Sequence, residues 1–185
     1  MIGYDYEPIY ALGSMLGGED TAGMLRLMDE IELVGLDAMS TGVTLAWATE
    51  ALQKDLITIR ETDDIPLAWG DYGNYIEAVR RIVCPPNDFY HALGRGAEYA
   101  ATQYGGLDFA LTFGSNEMPG YHTGPGGYLT FLTGARHSHL DSAGYSVDQN
   151  AIKRGESLTP ESLADALLRE ERWRQVLASL VICFF

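Results

Sequence analysis

The chain has 185 residues, an apolar share of 46% and a formal net charge of −14. This length allows one large domain or two small ones with a buried core, and the apolar share excludes a disordered chain. No apolar run approaches the roughly 20 residues that a membrane helix needs, so no membrane association is expected. Phosphate backbones would repel so acidic a surface, and nucleic acid is therefore not an expected partner.

The first residues and the cysteines bear on the compartment. The start of the chain, residues 1–7, has neither the basic region nor the apolar stretch of a secretory signal, so we expect a cytoplasmic protein. The two cysteines, Cys84 and Cys183, lie far apart in sequence. A disulfide scaffold is not expected, and no zinc or iron–sulfur motif is complete within this chain. Cys84 is expected to be a small buried apolar residue.

In chain order, the sequence predicts a series of helices, each recognised by a polar cap before an apolar-periodic stretch. The predicted caps are Asp20, then Ser40 or Thr41, then Asp71, Asn87 and Thr159, the last followed by Pro160 at the first helical position. The first of these helices is expected to end near Gly35 and the second near Leu56. No strand-rich region is apparent, so the predicted fold class is mainly α.

Residues 105–127 differ from the rest, being dense in glycine and interrupted by Pro119 and Pro125. Such a segment lets the backbone approach a ligand closely, and it is equally compatible with a long surface loop. We place the domain boundary before it. A first helical domain would span 1–104, and a second, 105–185, would hold this segment, a histidine-containing stretch and the final helix.

The histidine-containing stretch runs from Gly134 to Tyr145. His137 and His139 stand one residue apart, with Arg136 before them and Asp141 after. Because free imidazole has a pKa near 6.5, it can carry a proton either way at neutral pH. This pattern indicates a chemical site, although a polar turn whose histidines cap neighbouring elements would show the same residues.

The same residues suggest a zinc site. His137, His139 and Asp141 resemble the His-x-His-x-Asp core of metallo-β-lactamase-like hydrolases, in which imidazoles and a carboxylate bind zinc. That family has a further histidine directly after the aspartate, where this chain has Ser142, and it has many strands. A zinc hydrolase using His137, His139 and Asp141 is therefore retained only as an alternative.

Five segments in order resemble the tungsten-containing aldehyde ferredoxin oxidoreductases. They are residues 5–13 (DYEPIYALG), 35–42 (GLDAMSTG), 117–121 (EMPGY), 134–137 (GARH) and 179–184 (SLVICF). The resemblance implies the multi-helical fold of the two helical domains of that family. It also implies that a β-rich N-terminal domain is supplied elsewhere, so that the chain would be a portion of an enzyme and incomplete on its own.

The resemblance implies two cofactors, a tungsten bis-pterin (tungstopterin) and a [4Fe–4S] cluster, both needing residues outside this chain. The first pterin-binding motif matches as Glu32, Leu36 and Asp37. The second matches at Ile182 and Cys183, with Ala178 where the family has a carboxylate and Val181 where it has glycine. Cys183 also matches the fourth cluster cysteine and is the implied iron ligand, and His139 matches a further pterin-contacting position.

Glu7 and His137 match the acidic residue and the histidine near the metal, so the resemblance implies that they are catalytic and transfer protons. The implied reaction converts an aldehyde and water to a carboxylic acid, with ferredoxin as electron acceptor. Arg80–Arg81 and the group Arg169, Arg172 and Arg174 are candidate ferredoxin contacts. A non-catalytic accessory subunit or remnant of the family, docked on a partner that supplies the β-rich domain, is the alternative, and it would present an apolar surface to that partner. Taken singly, Glu7 could be an exposed carboxylate and Asp37 a helix cap.

Overall fold

A computed structural model describes residues 5–182, which form helices joined by loops and one short hairpin. The helices are α1 (Tyr6–Ile9), a π-helical segment (Tyr10–Ser14), α2 (Thr21–Val34), α3 (Ala38–Gln53), α4 (Tyr72–Val83), α5 (Asp88–Leu93), α6 (Ala97–Tyr104), α7 (Pro125–Thr133), α8 (Gly144–Arg154) and α9 (Pro160–Ser179). Two strands, β1 (Thr112–Phe113) and β2 (Asn116–Glu117), pair antiparallel. The predicted mainly-α class is confirmed.

Most of the predicted helix starts are confirmed. The side chains of Asp20, Asp71, Asn87 and Thr159 each accept a backbone N–H of the helix that follows. The start of α3 is a correction, because its cap is Asp37 and not Ser40 or Thr41. Gly35 ends α2 in a left-handed conformation, which brings the chain back to extended geometry at Asp37. Its carboxylate then accepts the Ser40 N–H at 2.7 Å.

The chain folds as two compact units, Met1–Gly120 and Tyr121–Phe185. The predicted domain boundary after Tyr104 stays a prediction, because a compact unit need not coincide with a domain. We refer below to unit 1 and unit 2.

In unit 1, helix α3 forms the centre of the core and is buried on nearly all sides. Trp47 of this helix is 2% exposed and its ring lies 6.4 Å from that of Phe89 on α5. Gly42 lets the π-helical segment approach, since a Cβ atom at that position would lie 2.6 Å from the carbonyl oxygen of Ala11. A helix that is apolar all round is expected to be enclosed in this way.

In unit 2, helix α7 packs closely on α8. A Cβ atom at Gly144 would lie 1.7 Å from the carbonyl oxygen of Gly126, so the contact requires glycine. The buried carboxylate of Asp148 on α8 accepts the N–H groups of Gly126 at 3.0 Å and Gly127 at 2.8 Å. These bonds satisfy amide donors that the first turn of a helix leaves without an intrahelical acceptor.

Two smaller findings concern the surface. Cys84, expected to be buried, is exposed, because it follows the end of α4 and precedes two prolines that lead the chain away from the core. Between residues 5 and 182, no helix combines the length and the apolar character that crossing a membrane requires.

Candidate functional site

In unit 1, the segment 5–13 meets the segment 117–121, although more than 100 residues separate them. The Tyr6 hydroxyl donates a hydrogen bond to the Gly120 carbonyl at 3.0 Å. The Tyr10 ring covers Gly120 so closely that a Cβ atom there would lie 2.2 Å from the ring, and Gly120 has a φ of +86°. Glycine is the residue that adopts this conformation without steric cost.

Glu117 joins the segment 117–121 to two helices of unit 1. One oxygen of its carboxylate accepts the Ser40 hydroxyl at 3.0 Å, and the other accepts the Ala97 N–H, at the start of α6, at 3.1 Å. Ser40 in turn donates its backbone N–H to Asp37. Residues 5–13, 35–42 and 117–120, which belong to three of the five segments, are thus linked within unit 1.

The turn between α2 and α3 borders a cavity of about 170 Å³. Its lining is mostly apolar and comprises Leu36, Asp37, Ser40, Thr41, Thr44, Ile82, Leu93, Gly94 and Gly96. Leu36 is half-buried, whereas Asp37 and Glu32 are exposed. Two of the three residues that the resemblance assigns to a pterin-binding motif therefore line a cavity, and the third, Glu32, lies in the last turn of α2.

Glu7 lies in α1 and is half-buried, next to the exposed Asp5 that precedes the helix. Desolvation raises the pKa of Asp5. The hydrogen bond with Glu7 and the negative charge of Glu7 raise the pKa of Asp5 further. Glu7 thus shares its surroundings with a second carboxyl group that takes up a proton more readily than a free aspartate.

In unit 2, the loop that carries His137 is organised by Asp141, whose side chain is fully buried. The backbone N–H groups of Arg136 and Ser138 donate to Asp141 Oδ2 at 2.8 and 3.3 Å. The Arg136 guanidinium donates to Oδ1 from both Nε and Nη2 at 2.8 Å. His137 adopts a left-handed backbone with φ of +53°, and its Nδ1 lies 2.8 Å from the Phe131 carbonyl oxygen.

His139 has different surroundings, being buried among aromatic rings. Its ring stacks on Tyr121 with centroids 4.8 Å apart and an interplanar angle of 23°. Tyr121 also stacks on Tyr145 at 4.4 Å, and His139 lies 6.1 Å from Tyr145. The two histidines of the stretch therefore have separate environments, one in a hydrogen-bonded loop and one in an aromatic cluster.

The geometry of this loop does not support the zinc alternative. Asp141 directs both carboxylate oxygens at Arg136 and at backbone N–H groups, which removes it as a ligand shared with His137 and His139. Across residues 5–182, no three His, Cys, Asp or Glu side chains are grouped so that they could hold a metal ion.

The sequence-predicted residues fall in both units. Glu7, Glu32, Leu36 and Asp37 belong to unit 1, and His137, His139 and Ile182 belong to unit 2. Ile182 follows α9 and is 48% exposed, and Cys183 lies outside the described residues.

Sequence reasoning missed the contribution of Glu117, Tyr6 and Asp148. Glu117 and Tyr6 lie within segments that resemble the family, but spacing gives no indication of which side chain each one bonds. Asp148 lies in a polar stretch with no motif, so no signal in the sequence pointed to it.

Arg80 and Arg81, candidates for ferredoxin contact, are engaged in ion pairs. Arg80 pairs with Glu30 at 2.8 Å and with Glu77 at 2.7 Å, and Arg81 pairs with Asp63 at 2.7 Å. These acidic partners offset the positive charge of the pair of arginines. Arg169 and Arg172 on α9 are exposed.

Comparison with known proteins identifies the family of this chain. The family model described as aldehyde ferredoxin oxidoreductase, domains 2 & 3, matches residues 1–185. The chain therefore belongs to the aldehyde ferredoxin oxidoreductase family. The tungsten-containing aldehyde ferredoxin oxidoreductases of Thermococcus kodakarensis and Pyrococcus furiosus are each 29% identical to it over 99% of this chain. The match covers 31% of each relative, so the chain spans about a third of their length.

Proposed function

We propose that this chain provides part of the tungstopterin site of an enzyme that oxidises aldehydes to carboxylic acids with ferredoxin as electron acceptor. The observation that carries the proposal is the linkage of the three family segments in unit 1 through Tyr6, Ser40 and Glu117. Segments that are distant in sequence and meet at one place are expected where a common ligand is held. The family match over the whole chain supports the same assignment.

Asp37 fits a role in holding a pterin. Its Oδ1 atom accepts the Ser40 N–H, and its second oxygen has no hydrogen-bond partner among residues 5–182. Pterin amino and ring N–H groups are donors, and a charged acceptor makes such a bond roughly twice as strong as a neutral one does. The exposed carboxylate of Glu32 is a second acceptor of the same kind.

The cavity beside Leu36 and Asp37 indicates that this chain provides only part of the site. Its volume of about 170 Å³ is below the roughly 300–1,000 Å³ of typical ligand pockets. The remainder would come from the two thirds of the family polypeptide that this chain does not span. The bound cofactor would supply the two-electron oxidation, while the protein supplies position and proton handling.

Glu7 and His137 are the proposed proton-transfer residues. The half-buried Glu7 lies in α1, two residues after Asp5, while the His137 ring is held by its Nδ1. A general acid or base must be held in position while its titrating atom can still reach the proton that it transfers. The bond at Nδ1 of His137 meets the first of these requirements. His139 and the backbone at Ile182 and Cys183 would add pterin contacts, and Cys183 would also ligate iron.

A non-catalytic accessory role is the second candidate. The exposed apolar surface of α9 is compatible with this role as well as with the first candidate. Leu168, Trp173 and Val176 are 51%, 65% and 51% exposed, and Leu180, directly after the helix, is 62% exposed. Exposed apolar groups of this kind are typical of a surface that another polypeptide covers. Cofactor content separates the two candidates, because an accessory subunit would assemble without a pterin.

The experiment is a chimera in which this chain replaces the matched third of the Thermococcus kodakarensis relative. It is produced with tungstate, and tungsten and released pterin are measured per mole of folded protein. The proposal predicts tungsten, pterin and aldehyde-dependent reduction of ferredoxin. A folded chimera with neither tungsten nor pterin would contradict it.

The isolated chain provides a second test that does not depend on assembly of the chimera. A soluble pterin is titrated into the isotope-labelled chain while amide resonances are recorded. We expect the Leu36 and Asp37 amides to shift. Unchanged resonances at millimolar pterin would count against the proposal even if the chimera failed to fold.

A further inference from the structure

The loop from Gly134 to Asp141 determines which nitrogen of His137 is available for chemistry. We propose that Asp141 is a positioning residue that holds His137 in the Nδ1–H tautomer, so that Nε2 is the proton-accepting atom. This inference rests on the proposed function, because the available nitrogen matters for catalysis only if His137 transfers protons. The test of the tautomer does not depend on any cofactor.

The tautomer follows from the partner of Nδ1. This nitrogen lies 2.8 Å from the Phe131 carbonyl oxygen, and a carbonyl can only accept a hydrogen bond. The proton of the neutral imidazole must therefore reside on Nδ1. In a neutral ring the other nitrogen, Nε2, is then an unprotonated acceptor.

The backbone around His137 would not adopt this geometry without support. His137 has a φ of +53°, a conformation that is disfavoured for residues other than glycine. Such a residue persists where the surrounding structure over-determines it. The loop is confined on both sides of His137 by bonds to one group, the carboxylate of Asp141.

Asp141 provides that support from a fully buried position. Its Oδ2 atom accepts the N–H groups of the two residues that flank His137, Arg136 and Ser138. The Arg136 guanidinium neutralises the carboxylate from the solvent side, with its own side chain 54% exposed. Gly134 allows the approach, since a Cβ atom there would lie 2.6 Å from Oδ2.

Asp141 is a carboxylate that supports a histidine, but it does so indirectly. Asp141 does not contact the ring and instead fixes the peptide groups on either side of it. Removing the negative charge should therefore release the loop, and the ring should lose its fixed bond to Phe131.

The test uses Asp141→Asn in the full chain, labelled with ¹⁵N-histidine, with the His137 resonances assigned through His137→Gln. In the unmodified chain at a pH where imidazole is neutral, we expect a pyrrole-type Nδ1 shift and a pyridine-type Nε2 shift. In Asp141→Asn both shifts should move toward the average of the two tautomers. Hydrogen exchange at Arg136 and Ser138 should rise about tenfold or more, since bonds to a charged group contribute about 1.5–3 kcal/mol.

Asp148→Asn is the matched control. Asp148 is also a buried aspartate of unit 2 that accepts two backbone N–H groups, but these belong to Gly126 and Gly127. This variant should lower stability and leave the His137 tautomer unchanged. A loss of stability alone therefore cannot produce the expected result.

A second variant keeps the test decisive if Asp141→Asn does not fold. Arg136→Gln removes the guanidinium from an exposed side chain and leaves the backbone donors in place. It should shift the His137 resonances in the same direction by a smaller amount. A pyridine-type Nδ1 in the unmodified chain, or His137 shifts unchanged in the folded variants, would overturn the proposal.

Discussion

The Glu117 carboxylate and the Ser40 hydroxyl lie 3.0 Å apart, although 77 residues separate them in sequence. Ser40 belongs to the first turn of α3, and its backbone N–H holds the carboxylate of Asp37. The same Glu117 carboxylate accepts the first N–H of α6. One side chain on a two-residue strand thus connects the Asp37 turn to the start of α6, where the N-cap residue Gly96 borders the same cavity.

The bond between Glu117 and Ser40 should contribute measurably to stability. We expect Glu117→Ala to lower the free energy of unfolding by about 1–3 kcal/mol, because it leaves a hydroxyl and an N–H without their charged acceptor. Ser40→Ala should lower it by about 1 kcal/mol. Urea unfolding of both single variants and the double variant gives the coupling between the two side chains, expected at about 1 kcal/mol.

Glu50→Gln is the control for this cycle, since the half-buried Glu50 in the last turn of α3 forms a surface ion pair with Lys54, the residue that caps this helix. Surface pairs of this kind contribute about 0–1 kcal/mol, so this change should be nearly neutral. Additive effects of Glu117→Ala and Ser40→Ala would mean that the two side chains act independently.

Gly120→Ala should be more damaging than Gly35→Ala, although both glycines have a positive φ, +86° and +76°. At Gly35 nothing lies within 4 Å of an added Cβ atom, so only the left-handed conformation is penalised, by about 1–2 kcal/mol. At Gly120 the Cβ atom would also meet the Tyr10 ring, adding about 1–3 kcal/mol of overpacking. Thermal or urea unfolding of the two variants measures the difference, and equal losses would show that Tyr10 does not cover Gly120.

Stability should fall at alkaline pH because burial raises the pKa of several tyrosines, Tyr72, Tyr75 and Tyr90 among them, and Tyr75 is the one tested here. Burial raises the pKa of its hydroxyl from 10.0 to about 12. The folded state therefore holds the proton more tightly than the unfolded state, so this stabilisation is complete below pH 10 and is lost as the pH rises toward 12. Tyr75→Phe should make this part of the stability profile less steep, measured by urea unfolding between pH 9 and 12, while the other buried tyrosines account for the slope that remains.

The matched control is Tyr128→Phe, which changes an exposed tyrosine of α7. It should leave the alkaline slope as it is. Tyr75→Phe also removes the hydrogen bond that Tyr75 shares with Thr49 at 3.1 Å, so its stability at neutral pH should be lower. An unchanged slope in Tyr75→Phe would show that another group is responsible.

The helix starts are the part of the fold that the sequence predicts, because each depends on a few adjacent residues. Asp20, Asp71, Asn87 and Thr159 precede apolar-periodic stretches, and each caps a helix. The cap of α3 was misplaced because Ser40 and Thr41 are good capping residues that here lie inside the first turn. Which of several adjacent polar residues acts as the cap depends on the left-handed turn at Gly35, which spacing alone does not specify.

The candidate site was only partly predictable for a different reason. Resemblance indicated Asp37, His137 and the segment 117–121, because those residues have a recognisable order. The bonds that hold them depend on the tertiary fold, in which Glu117 reaches Ser40 and Asp141 turns inward to Arg136. The zinc alternative used the Asp141 carboxylate as a metal ligand, since a sequence shows a carboxylate without showing which way it faces.

Retention of the pterin by Asp37 is the central claim, and the chimera with Asp37→Asn tests it most directly. Asparagine keeps the helix cap but replaces the charged acceptor, and Asp71→Asn makes the same change at the cap of α4. The account predicts that pterin and tungsten content fall about tenfold or more with Asp37→Asn and stay unchanged with Asp71→Asn, measured per mole of folded protein. Full pterin and tungsten content in Asp37→Asn would contradict it.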